Sequence, residues 1–163
     1  MTTITLQPIT PNNWVECIEL TPTSEQQAHG YVAPNVLSLA QAYVEPWWIP
    51  LAVYADTTMI GFILYGRWPE SGYAGYWGHK PKSGIDYILR MMIDKRYQGQ
   101  GFGKAALAVL LERIKAQPGC QAIELDYDRA NIVAARLYAA YGFQPIEEAE
   151  DGEILARLVV DGS

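Results

Sequence analysis

The chain has few of the residues that build metal sites and disulfides. It carries two cysteines, Cys17 and Cys120, and two histidines, His29 and His79, among 163 residues. None neighbours another in a CxxC or Cys/His spacing, so no metal is expected and both thiols are expected free, as in a reducing compartment. Positive charge is scarce as well: twelve Lys and Arg stand against eighteen Asp and Glu, a net charge of −6. A nucleic-acid backbone wants a basic stripe, so nucleic acid is not an expected partner. An acidic chain suits a cationic small substrate, because acidic clefts steer cations. No apolar run approaches the roughly 18 residues of a membrane span, so no membrane partner is expected. Met1-Thr2-Thr3-Ile4-Thr5 has no basic stretch ahead of an apolar one, and the expected location is cytoplasmic. Two common phosphate loops are missing too. A Walker loop would need glycine at 98 and Ser or Thr at 105, where the chain has Gln98 and Ala105. A dinucleotide fingerprint counted from Gly99 would need glycine at 104, and Lys104 stands there.

Half of the residues are hydrophobic, which with this length suits a single domain over 1–163 with a sizeable core. Thr3-Ile4-Thr5-Leu6-Gln7 alternates and reads as an edge strand. Asn12 or Asn13 is placed to cap a short helix through Leu20. Residues 24–44 are of mixed character, broken by Pro34, with a helix expected over 36–43. A hairpin follows, 47–54 and 59–65 about the turn Asp56-Thr57-Thr58, and then a long loop over 66–84. A strand at 86–93 leads into Gln98-Gly99-Gln100-Gly101-Phe102-Gly103-Lys104 and a helix over 105–116, with Phe102, Ala106, Leu110 and Ile114 at helical spacing. The strand 122–127 should lie parallel to 86–93. A helix over 131–141 is stopped by Gly142, and 144–146 with 154–160 make a last hairpin. The pattern is that of an α/β domain, a mixed sheet with helices on both faces.

Two features carry chemistry. A glycine-rich turn between a strand and a helix is a ready anion site, because the first N–H groups of a helix lack internal partners. In the later helix Asn131 and Tyr138 lie two turns apart on one face, about 10 Å along the axis. An amide there can bond a peptide-like ligand, and a phenol can give a proton.

Gln98-x-x-Gly101-x-Gly103 after a strand, then Asn131, then Leu137-Tyr138-Ala139-Ala140-Tyr141-Gly142-Phe143, resembles the GNAT superfamily of acetyl-CoA-dependent N-acetyltransferases. Ile93-Asp94-Lys95-Arg96-Tyr97-Gln98-Gly99, Ala134-Ala135-Arg136-Leu137-Tyr138 and Tyr31-Val32-Ala33-Pro34-Asn35 are similar to the bacterial spermine/spermidine (diamine) acetyltransferases. The resemblance implies a sheet of about six or seven strands splayed near its middle, where acetyl-CoA, the co-substrate, inserts. It implies that backbone groups of Met91 and Ile93 pair with the pantetheine arm and that an N–H near Met92 or Ile93 holds the oxyanion. The N–H groups of Gly99, Gln100, Gly101, Phe102, Gly103 and Lys104 would hold the pyrophosphate, with Gln98 lining the same loop. Asn131 would bond the pantetheine amides, and Tyr138 would protonate the leaving thiolate.

The acceptor so implied is a small-molecule amine, a polyamine such as spermidine or spermine, attacked directly without a cysteine relay. The alternatives are an aminoglycoside, an amino acid or a protein N-terminus as acceptor, or a non-catalytic acyl-CoA-binding module. Glu70, Asp86, Asp126 and Asp128 are carboxylates of the right type for a base, and Glu70, Asp86 and Asp128 for substrate contact. Trp68, Tyr73, Tyr76 and Trp77 in the long loop, with Glu25, Tyr31, Glu45, Trp47 and Trp48, have types that suit amines and methylenes. Superfamily members often dimerise, and a homodimer is compatible with the exposed aromatics.

Overall fold

The computed structural model describes residues 1–70 and 82–160. Seven strands form one sheet: β1 Ile4–Pro8, β2 Trp48–Ala55, β3 Thr58–Arg67, β4 Ile85–Ile93, β5 Ala122–Asp128, β6 Gln144–Glu148 and β7 Glu153–Val159. Their order is β1-β2-β3-β4-β5-β7-β6. β4 and β5 run parallel while the other pairs are antiparallel, so the sheet is mixed as expected. Among the described residues five helices accompany it: α1 Trp14–Glu19, α2 Ser24–His29, α3 Asn35–Val44, α4 Phe102–Lys115 and α5 Ile132–Ala140. Among the described residues no helix is long and apolar enough to cross a membrane.

Two apolar clusters cover the two faces of the sheet. On one, Ala106, Leu107, Leu110, Leu111 and Ile114 of α4 pack on Ile63, Ile88, Ile123 and Leu125, with Leu137 and Tyr138 of α5 alongside. This is the i, i+4 stripe visible in the sequence. On the other, Cys17 of α1 and the adjoining Leu20 pack with Trp48, Phe62, Leu64, Tyr87 and Met92, joined by Leu39 and Ala42 of α3.

The feature that positions the site is a bulge in β4. Leu64 faces Arg90 while Tyr65 faces Ile88, so Leu89 is an extra residue. Such a bulge bends its strand and turns two consecutive side chains to one face. Accordingly Leu89 packs in the α1/α3 cluster and Arg90 reaches Gln41 of α3. Pairing of β4 with β5 stops at Ile88 with Leu125, and beyond it the strands part.

Some expectations shift. Asn13 stands at the N-cap of α1, but its side chain makes no cap bond; its Oδ1 accepts from Thr10 N at 2.7 Å. The mixed stretch resolves into α2 and α3, α2 opening on a capping box between Thr23 and Gln26. β3 runs on to Arg67, beyond the expected start of the long loop. Tyr73, Tyr76 and Trp77 lie outside the described residues.

Candidate active site

The parting strands open a cavity of about 1130 Å³ lined by β4, the glycine turn, the start of α4, β5, α5 and the segment around Tyr31. Asp94 N donates to Ile60 O at 2.8 Å, which turns that backbone toward β3. By strand alternation Met92 also faces β3, and the backbone groups of Met91 and Ile93 face the gap that β5 has left. An extended amide-bearing chain could pair there as an added strand does.

Below the gap lies the turn. Gly99 and Gly101 have φ of +74° and +82°, a region that favours glycine, and a Cβ at either would meet nothing within 4 Å. Gly101 is the N-cap of α4 and supplies no side-chain cap. The N–H groups of Phe102, Gly103 and Lys104 therefore point at open space, as an anion needs. The Lys104 side chain is exposed, and its carbonyl accepts from the Tyr141 hydroxyl at 2.8 Å. These donors and the open strand edge fit a pyrophosphate joined to an amide-bearing arm.

Gln98 has a holding part. Its Nε2 donates to Ile93 O and to Gln26 Oε1, each at 2.8 Å, tying the end of β4 to the capping box of α2. Asp94, buried, holds the same corner: it accepts from the Thr21 and Arg96 backbones and pairs with the Arg96 guanidinium at 2.7 Å. Burial pushes its carboxyl up, but these bonds, led by Arg96, hold it below its usual value. A depressed carboxylate stabilises the fold above its unfolded pKa, near 3.9, and that contribution is lost as pH falls through the folded value. Asp94→Ala is expected to cost about 2–3 kcal/mol in urea unfolding. The gap to wild type should narrow as pH falls below about 4 and close below the folded value; a gap unchanged through that fall would refute the charged role of Asp94.

Asn131 and Tyr138 both line the cavity. Asn131 caps α5, its Oδ1 accepting from Ala134 N at 3.1 Å, and this leaves the amide NH₂ for a ligand carbonyl. The Tyr138 ring lies 5.8 Å from both Tyr127 and Phe143. Burial pushes its phenol up to about 12, so it stays protonated at neutral pH. Its hydroxyl has no hydrogen-bond partner among the described residues.

The structure does not gather all the candidate residues. Met91, Met92, Ile93, Gln98, Gly99, Gly101, Phe102, Gly103, Lys104 and Asp128 line the cavity; Gln100, Glu70 and Asp86 do not. The Gln100 side chain turns back toward Arg96 O at 3.5 Å. Glu70 is exposed at the edge of the described chain. Asp86 pairs with Arg67 at 2.5 Å in a separate, smaller depression. It neighbours Tyr87 on the strand, so its side chain leaves by the opposite face.

One cavity group carried no local signal. Arg90 is in the cavity only because the bulge turns it there, and its Nη1 donates to Gln41 Oε1 at 2.7 Å. Burial lowers its guanidinium from the ordinary value, with Glu45 opposing. Asp126 joins Glu124 and Asp128 on one face of β5 by simple alternation, a signal present in Glu124-Leu125-Asp126-Tyr127-Asp128.

Residues 14–143 match the acetyltransferase (GNAT) family. The chain is 30% identical over 141 residues to the spermine/spermidine N(1)-acetyltransferase of Bacillus subtilis, covering 86% of this chain and 88% of that one. In structure it resembles an aminoglycoside acetyltransferase in complex with coenzyme A, with a TM-score of 0.74 at 16% identity over 96% of this chain and 95% of that one. The ribosomal-protein-S18-alanine N-acetyltransferase of Escherichia coli gives a TM-score of 0.67 at 17% identity, covering 99% and 96% of the two chains. The matched span takes in the bulged strand, the glycine turn and the α5 face, and the chain belongs to the acetyltransferase (GNAT) family of acetyl-CoA-dependent N-acetyltransferases.

Proposed function

We propose that this enzyme acetylates a primary amine of a polyamine such as spermidine or spermine, by direct attack of the amine on the thioester of acetyl-CoA. The reading rests on the acidic wall of the cavity. Asp126 and Asp128 of β5, Glu147 of β6, Glu153 of β7 and Asp151 in the turn between β6 and β7 all line it. Several carboxylates along one wall suit a chain of ammonium groups. Of the described cations in the cavity, Lys82 pairs with Glu124 at 3.0 Å, Arg90 is held by Gln41, and Lys104 stands at the glycine turn. A polycation would therefore lie along β5 and β7, away from Arg90. The Bacillus subtilis relative named for spermine and spermidine supports the same class.

The roles follow from the site. The glycine turn and the α4 N-terminus would grip the pyrophosphate, the edge of β4 and the Asn131 amide the pantetheine arm, and Tyr138 would supply a proton to the leaving sulfur. A thiol of pKa near 8.5 needs a positioned donor as its bond to carbon breaks. A phenol at about 12 serves because the same burial raises the thiol. Neither cysteine suits a relay. Burial pushes Cys17 up to about 12 and Cys120 up to about 11, and neither lines the cavity.

The test is thiol release from acetyl-CoA with purified protein over spermidine, spermine, putrescine, kanamycin, single amino acids and short peptides. Turnover concentrated on the polyamines is the expected result. Turnover confined to kanamycin or to peptides would discard the polyamine acceptor while keeping the cofactor site.

A further inference from the structure

Among the cavity carboxylates Asp126 has a distinct position. It is the first β5 residue past the last β4–β5 pair, Ile88 with Leu125, so it stands where the strands part. Tyr127, the next residue, packs against Tyr138. Strand alternation sends the Asp126 side chain to the other face. Asp126 and Tyr138 thus flank the opening from opposite sides of the sheet, and both line the cavity. From β4 the Tyr87 hydroxyl donates a hydrogen bond to Asp126 Oδ2.

We propose that Asp126 is the general base of acetyl transfer, positioned by Tyr87, and that it receives a proton from the acceptor ammonium on the face opposite Tyr138. This rests on the acetyl-transfer reading above. An ammonium must lose a proton before its nitrogen has a lone pair to share, and a free alkylamine titrates near 10.4. The ammonium gives one proton to Asp126, and the freed pair forms the C–N bond. The C–S bond breaks with its electron pair on sulfur, and Tyr138 protonates that sulfur. The second nitrogen proton leaves to solvent, from which Tyr138 is reprotonated and to which Asp126 discharges. The balance is one amide, one thiol and one released proton per ammonium consumed.

The surroundings suit a base that works near neutrality. Glu124 and Asp128 share its face of β5, Glu153 and Arg157 project from β7, and Glu147 stands on β6 with Asp151 in the turn. Glu124 is bound by Lys82 and Arg157, so its charge is largely answered. Burial, and then Glu153, push Asp126 up to about 7; Lys82 opposes, and Glu147 and Asp151 add to the rise. A base is most effective when its pKa lies near the working pH.

The free enzyme's groups appear in the pH profile of kcat/KM. With spermidine as acceptor, or kanamycin if only that turns over, wild-type kcat/KM should fall as pH drops through about 7, because a protonated Asp126 cannot accept. In Asp126→Asn, kcat/KM should drop by about 100-fold or more and lose this limb, keeping only the limb of the acceptor amine. Asp126→Glu should restore part of the rate and the limb. Tyr87→Phe should move the limb upward, since the carboxylate loses a donor that favours its charged form. Hydrazine, about half neutral at pH 8 where spermidine is almost wholly protonated, should lose only about threefold in Asp126→Asn. Acetyl-CoA titrations by tryptophan fluorescence should match across the variants, which separates loss of the base from loss of the fold. A wild-type profile without the limb near 7, or an Asp126→Asn profile that keeps it, would overturn the assignment. Either result leaves the acetyl-transfer reading standing, because the thiol-release panel and Tyr138→Phe test that reading independently.

Discussion

Replacement of Tyr138 by phenylalanine is expected to lower kcat by about 100- to 1,000-fold while acetyl-CoA affinity changes by less than about threefold. The variant removes one oxygen and leaves the ring. That ring packs against Tyr127 and Phe143, contacts that phenylalanine keeps. The hydroxyl holds no hydrogen bond to another described residue, so its loss strands no buried partner. Stability should therefore stay near wild type, and the effect should fall on the step in which sulfur gains a proton. Stopped-flow thiol release with isothermal titration of acetyl-CoA reads both quantities. A kcat within a few fold of wild type would show that solvent protonates the sulfur. A parallel loss of affinity would show that the residue acts through packing instead.

Gly101→Val is expected to raise the KM for acetyl-CoA by about 100-fold, the equal of one or two charge-assisted hydrogen bonds at about 1.5–3 kcal/mol each. The cause is conformational. A Cβ at 101 would meet nothing within 4 Å, so there is no clash to relieve, but φ is +82°. A β-branched residue is rarely found there, and forcing it costs about 1–2 kcal/mol. The chain would escape the strain by swinging out of the left-handed region, which re-aims the N–H groups of Phe102, Gly103 and Lys104. The kcat at saturating acetyl-CoA should change little, since Tyr138 and the acidic wall lie on other elements. Gly101→Ala should have the same effect in smaller measure. Unchanged KM in the valine variant would mean that the α4 N-terminus does not hold the pyrophosphate.

The two variants and the Asp94→Ala unfolding experiment address different parts of the molecule: the acid, the anion cradle and the corner that joins the cradle to β4. The side chains of Asp94 and Gln98 are engaged by protein partners. They fasten the end of β4 to the segment around α2, and so fix where the edge of β4 and the glycine turn stand relative to each other.

Much of this architecture was open to reading along the chain, because it depends on near neighbours. A glycine turn after a strand and before a helix exposes helix N–H groups whatever surrounds it. The apolar stripe of α4 and the Asn131–Tyr138 spacing on α5 follow from 3.6 residues per turn. Alternation in β5 sorts Glu124, Asp126 and Asp128 from Leu125 and Tyr127. Those relations span at most two helical turns, and the resemblance to the family added the order of such motifs between residues 98 and 143.

What tertiary structure alone decided was the choice among equal residue types. Four carboxylates were candidates for a base, and their side-chain chemistry is alike. Asp86 was removed by Arg67, nineteen positions away in sequence, and by the face on which β4 presents it. The proposal of Asp126 rests on the parting of β4 from β5, next to the extra residue Leu89 opposite β3. Its rise to about 7 comes from burial and from Glu153, on a strand that follows it by a helix and a hairpin. Arg90 became a wall of the cavity for the same reason as the splay, one residue too many in a strand. The order of residues along the chain sets which groups are present and how each sits on its own element. The pairing of distant strands determined which groups meet, because a charge takes its pKa and its partner from space and not from chain order.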